Sequence, residues 1–190
     1  MLRSHMKDVC KVLCIACVFV ILCLACRMLC MLFRLLDAFA NTLPKKGALL
    51  GVDVGEKTFG LAESDAQRVV ASPLKTLMRT KWRKDVQHLK HLVQTHHIVG
   101  FVVGWPLMMN GEEGARCHST YHIVQNLLKE IEKPCLLWDE RLSTMASQTM
   151  LEKEADLSRA KRARVVDAVA ASLILGSALD ALRRCGSHVS

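Results

Sequence analysis

The sequence predicts a mixed α/β sheet of five strands flanked by helices, and three observations carry that prediction. Three short apolar runs follow one another before any helical period appears. Two further apolar runs then alternate with segments of helical period. One of these runs, Ile98 to Val103, is apolar without a break and ends at Gly104, as a strand buried on both faces of a sheet reads.

Ala48 to Ser64 gives the first two strands. Leu49, Leu50, Val52 and Val54 form one, Phe59, Leu61 and Ala62 the other, and Gly55, Glu56, Lys57 and Thr58 supply the turn. Arg68 to Pro73 reads as a short third strand that stops at its proline. Trp82 to His97 has Trp82, Val86, Leu89 and Val93 at helical spacing. The histidines at 88, 91, 96 and 97 lack acidic companions at ligand spacing and read as surface residues. After the fourth strand and the loop Met108 to Gly114, a second helix runs from about Ala115 to Glu132. Pro134 to Trp138 is the fifth strand, followed at once by Asp139, Glu140 and Arg141. Ser143 caps a third helix. A basic stretch (Arg159, Lys161, Arg162, Arg164) then leads into a final helix, Val165 to Leu182, whose small residues suit close packing.

The chain has 190 residues, enough for one domain with an appendage. Its formal charge is +8. After residue 40 the body still holds 21 Lys and Arg against 16 Asp and Glu, which suits a polyanionic partner. Six of nine cysteines fall in the first thirty residues, inside an apolar run, so this is no disulfide-stapled domain. The body reads as belonging to a reducing compartment, the cytoplasm.

Residues 1–40 form a hydrophobic N-terminal extension. Val12 to Cys26 carries no charge over fifteen residues, closer to a signal core than to a membrane span of about twenty. It reads either as a membrane-associated helix over residues 9–33 or as an artefact of a misplaced start. Residues 41–47 are a linker, 48–184 the globular domain and 185–190 a tail.

The carboxylates point to chemistry. Asp53 interrupts the first strand, where a charge is costly unless something pairs with it. Asp139 and Glu140 lie at the exit of the last strand, and Asp167 sits among valines and alanines in the final helix. Singly, each has an ordinary explanation: a turn cap, a pair with Arg141, a helix cap. Together, strand ends and helix starts can converge them at one sheet edge. Such a set suits Mg²⁺ or Mn²⁺, which take oxygen ligands, and such ions serve phosphodiester hydrolysis.

Five segments in order, GVDVGEKTFGLAESD, ASPLKTL, VVGWPLMMNGEEG, WDERLSTMAS and VVDAVAASLIL, resemble the signature segments of the YqgF (RuvX-like) family. The likeness spans roughly Lys46 to Leu182. It implies an RNase H-like fold and a metal-dependent nuclease, either maturing the 5′ end of pre-16S rRNA or resolving Holliday junctions. By position it implies Asp53, Glu140 and Asp167 as catalytic metal ligands, with Asp139 beside them. It further implies that Lys57 meets a phosphate and that Arg141 orders the site or contacts the backbone. Arg159, Lys161, Arg162 and Arg164, with Lys81, Arg83 and Lys84, are the expected nucleic-acid surface. Thr58, Trp105 and Asn110 depart from the family pattern. The partner expected is precursor rRNA or branched DNA, and a homodimer is left open. Two other classes compete: a nucleotide-binding module like the actin-like ATPases, for which the chain lacks a second copy of the domain, and a non-catalytic assembly factor.

Overall fold

The computed structural model describes residues 31–139, 141 and 159–186, without the side chains of 159–164 and 186. Glu140, the helix expected from Ser143 and the apolar run of the first thirty residues lie outside the described residues.

The elements run β1 (Leu32–Phe33), α1 (Leu36–Ala40), β2 (Ala48–Val54), β3 (Thr58–Ser64) and β4 (Ala71–Met78), followed by α2 (Trp82–Thr95) and β5 (Ile98–Trp105). The chain continues through α3 (Ala115–Glu130) and β6 (Cys135–Asp139) to α4 (Arg159–Gly186). Sheet order is β1-β6-β5-β2-β3-β4. β2, β3 and β4 are antiparallel neighbours, whereas β5 joins β2, β6 joins β5 and β1 joins β6 in parallel. This is the RNase H-like mixed sheet that the resemblance implies.

Two differences from the sequence reading have physical causes. The sheet has six described strands, not five. Leu32 and Phe33 lie beside Cys135 and Leu136, and the Cys135 amide donates to the Met31 carbonyl at 2.7 Å. Phe39, in α1, has no exposed surface and packs with Leu36, Leu43 and the α4 core. Residues 31–40 are therefore part of the packed unit, ahead of the linker, and residues 32 and 33 are strand rather than membrane helix. The third strand also begins later and does not stop at Pro73. β4 is an edge strand, and the pairing slips from Leu61–Lys75 to Ala62–Pro73, so Leu74 is the extra residue of a bulge. Proline is tolerated in both settings.

Strand alternation separates two cores. Leu50, Val52, Val54, Phe59, Phe101, Val103 and Leu137 pack under α2 and α3. Leu49, Ala62, Val102 and Leu136 pack under α4, against Ala171, Leu175, Ala178 and Leu179. Val165–Cys185 has the length and apolarity of a membrane span, but here it is the helix covering this face. It lies very close because the sheet beneath is glycine. A Cβ at Gly51 would stand 2.8 Å from the Leu175 Cβ, and one at Gly60 would stand 2.0 Å from the Asp167 carbonyl oxygen.

Candidate active site

Asp53 follows Leu49 and Gly51 on the α4 face of β2, and its register partner on β3 is Gly60. Gly60 is the residue on which the Asp167 backbone rests. One strand carboxylate and one helix carboxylate thus face each other across a glycine. Burial and then the charge of Asp167 push the Asp53 carboxyl up to about 6, against a smaller opposing pull from Arg116. Neither carboxylate has a hydrogen-bond or ion-pair partner among the described residues. Hard oxygen donors that repel one another are what a divalent cation relieves, so these two residues fit such an ion. Among the described residues no third His, Cys, Asp or Glu completes a cluster with them.

Of the other expected residues, Glu140 lies outside the described residues and Asp139 is set apart from the carboxylate pair. Asp139 continues the alternation of Cys135 and Leu137 on the opposite face, and Arg141 grips it through Nε at 3.0 Å and Nη2 at 2.7 Å. That pairing holds the Asp139 carboxyl below its ordinary value. Arg141 also approaches the loop after β5: a Cβ at Gly111, where φ is +87°, would lie 3.5 Å from its Nη1. Asn110 shapes that loop itself, its Oδ1 accepting from the Glu112 amide at 3.0 Å and its Nδ2 donating to Glu112 at 2.8 Å.

Lys57 is exposed at the tip of the β2–β3 turn, which the Gly55 amide closes by donating to the Thr58 carbonyl at 3.0 Å. Arg159, Lys161, Arg162 and Arg164 lie in the opening turns of α4, continuous with the helix that carries Asp167. They are not a separate stretch before it, and Asp167 is eight residues inside the helix.

Two cations went unnoticed in the sequence. Arg116 is exposed in the first turn of α3, and its charge acts on Asp53. Cys117, fully buried, fixes that turn over the end of β5 by donating to the Pro106 carbonyl at 3.2 Å. Arg79 donates through Nη1 to the carbonyls of Gly55 at 2.7 Å and Glu56 at 3.1 Å. No local pattern signals a contact made across 24 residues. The run GARC offered a weak hint, an arginine at a helix start after a loop leaving a central strand.

A carboxylate pair thus lies on an RNase H-like mixed sheet, beneath the helix that covers that face. The RuvX family, described as "Holliday junction resolvase", matches residues 47–181, and the chain belongs to that family. A Rhodobacter capsulatus protein named "Putative pre-16S rRNA nuclease" is 48% identical over 151 residues, covering 80% of this chain and 94% of the relative. A Rhodospirillum rubrum protein of the same name is 47% identical over 149 residues, covering 78% and 92%. The solved structure "T. thermophilus RuvC in complex with Holliday junction substrate" is similar at 14% identity and a TM-score of 0.49, over 74% of this chain and 97% of that one.

Proposed function

We propose that this chain is a divalent-metal-dependent endonuclease that hydrolyses phosphodiester bonds, with the 5′ end of pre-16S rRNA as its substrate. The facing of Asp53 and Asp167 across Gly60 carries the reading. It is supported by the names of the relatives, which cover nearly their whole length here. In this reading Asp53 and Asp167 hold Mg²⁺ or Mn²⁺, with Glu140 as the further ligand expected from the sequence. Bound there, the ion supplies Lewis-acid stabilisation of charge at the reacting phosphate and makes water a better nucleophile at neutral pH. Asp53, half-buried and with its carboxyl pushed up to about 6, gains from a cation that favours its ionised form. Asp139, committed to Arg141, orders the strand exit and is the weakest candidate among the ligands expected from the sequence. Lys57 meets a phosphate, and the basic opening of α4 meets the backbone on either side. We place the protein in the cytoplasm, a reducing compartment that suits the scattered cysteines of the body, Cys117, Cys135 and Cys185.

The test is cleavage of a precursor small-subunit rRNA fragment by the full chain, with Mg²⁺, with EDTA and as Asp53→Asn, beside a four-way DNA junction. Mg²⁺-dependent cutting of the RNA, lost in the variant, is the expected result. Cutting of the junction alone transfers the protein to DNA recombination, the activity its family's description names. Binding without cutting of either makes it an assembly factor and overturns the catalytic reading.

A further inference from the structure

Arg79 follows the last residue of β4, and the proposed chemistry gives it no part. Its guanidinium is nonetheless held at three points. Nη1 donates to the Gly55 and Glu56 carbonyls at 2.7 and 3.1 Å, and the cation lies over the Phe59 ring, 5.2 Å from its centroid. Its own amide donates to the Lys57 carbonyl at 2.8 Å. The residue is therefore wrapped around the turn that displays Lys57 and that begins two residues beyond Asp53.

One end of the guanidinium is spent in this way. The opposite edge, Nε and Nη2, has no partner among the described residues, and the side chain is only half-buried. That edge is the planar pair of N–H donors that matches two oxygens of one phosphate. Because the turn already fixes the plane, little rotamer freedom remains to be lost when an anion arrives. Lys57 stands exposed on the same turn, and the exposed Lys81, Arg83 and Lys84 begin α2 a few residues further on. Acidic competition at the tip comes from Glu56, which is itself exposed.

We propose that Arg79 and Lys57 form a two-cation grip at the β2–β3 turn for a backbone phosphate of the nucleic-acid substrate, with Arg79 supplying the bidentate contact. The grip rests on the nucleic-acid reading above. It extends the substrate path from the carboxylates, around the turn, to the start of α2, and it contributes binding rather than chemistry.

The test is equilibrium binding of the full chain in EDTA, so that nothing is cut, to an RNA fragment and to a four-way DNA junction across a salt series. Arg79→Gln keeps an amide able to donate to the Gly55 carbonyl but removes the charge and the fork; Arg79→Lys keeps the charge. For Arg79→Gln the slope of log affinity against log salt should become shallower by about 0.9 on duplex arms or about 0.7 on single strands. Arg79→Lys should restore the slope while affinity stays below that of the unsubstituted chain. The arm that shows the effect identifies whether RNA or DNA is held. An unchanged slope in Arg79→Gln overturns the grip, as does an Arg79→Lys slope as shallow as that of Arg79→Gln, which would mark collapse of the turn. If the unsubstituted chain binds neither probe, the nucleic-acid reading itself falls, an outcome separate from either of these.

Discussion

Gly60→Ala tests how tightly the fold couples the covering helix to the carboxylates. The new methyl would stand 2.0 Å from the Asp167 carbonyl oxygen and 2.6 Å from its carbon. Both are backbone atoms of α4, so no rotamer change relieves the clash. Ordinary contact begins at 3.4 Å, so the helix must rise by about 1.4 Å at that point. Overpacking of this kind costs about 1–3 kcal/mol or more, which for a chain of this size lowers Tm by roughly 3–10 °C. The same displacement carries Asp167 away from Asp53, and a misplacement near 1 Å can cost on the order of 10²-fold in rate. Thermal melts followed by circular dichroism read the first effect, and the rRNA cleavage assay reads the second. Gly176→Ala is the control on the same helix. There the nearest atom to a new Cβ is the Ala71 Cβ at 3.9 Å, so alanine meets no clash and should stabilise by about 0.5–1 kcal/mol. An unchanged Tm for Gly60→Ala would refute the close helix–sheet seat, and with it the placement of Asp167 against Asp53.

Three further outcomes follow from named contacts. In EDTA, Asp53→Asn should raise stability at pH 7, because a carboxyl pushed up to about 6 is costly when ionised in the folded state. The gain is no more than about 3 kcal/mol. It should fade as pH falls through 6 towards 4, where the unsubstituted chain takes up its proton, and urea titrations across that range check the sign. Adding Mg²⁺ should stabilise the unsubstituted chain in thermal melts and leave Asp53→Asn nearly unmoved, since only a folded-state ligand shifts the equilibrium. Phe39→Ala should cost about 3–5 kcal/mol in urea denaturation, because the ring is fully buried against α4, and a chain begun at Asn41 should lose at least as much.

Much of the fold was legible because buried strands and amphipathic helices write their periods into the sequence. Asp53 stood out for the same reason, a charge inside an apolar strand. Asp167 stood out less for its own helix position than for its apolar neighbours, and the helix proved to begin earlier, at Arg159. Leu32 and Phe33 escaped notice since two apolar residues at the end of a long hydrophobic run carry no strand period. Their role depends on β6, a hundred residues away. Pro73 misled because a local rule about backbone donors yields to position: on an edge, at a bulge, the missing N–H leaves no gap in a ladder. Arg79 and Arg116 were invisible for a different reason. Each acts on residues distant in the sequence, Arg79 by hydrogen bonds and Arg116 by its charge, and an arginine in a basic chain is not conspicuous.

The pairing of β1 with β6 also bears on how the protein behaves in a crowded solution. An uncovered strand edge is a row of unpaired amides and carbonyls that can recruit a strand from another molecule. Here one rim of the sheet is blunted by Pro73, the bulge and Lys75 on β4, and at the other the two-residue β1 covers Cys135 and Leu136 of β6. The region shared with the family starts at residue 47, so that cover comes from chain outside it. Shortening the protein to that region would leave β6 bare at its outer margin, and the shortened chain should be prone to self-association and precipitation at high concentration, apart from any loss of folding stability.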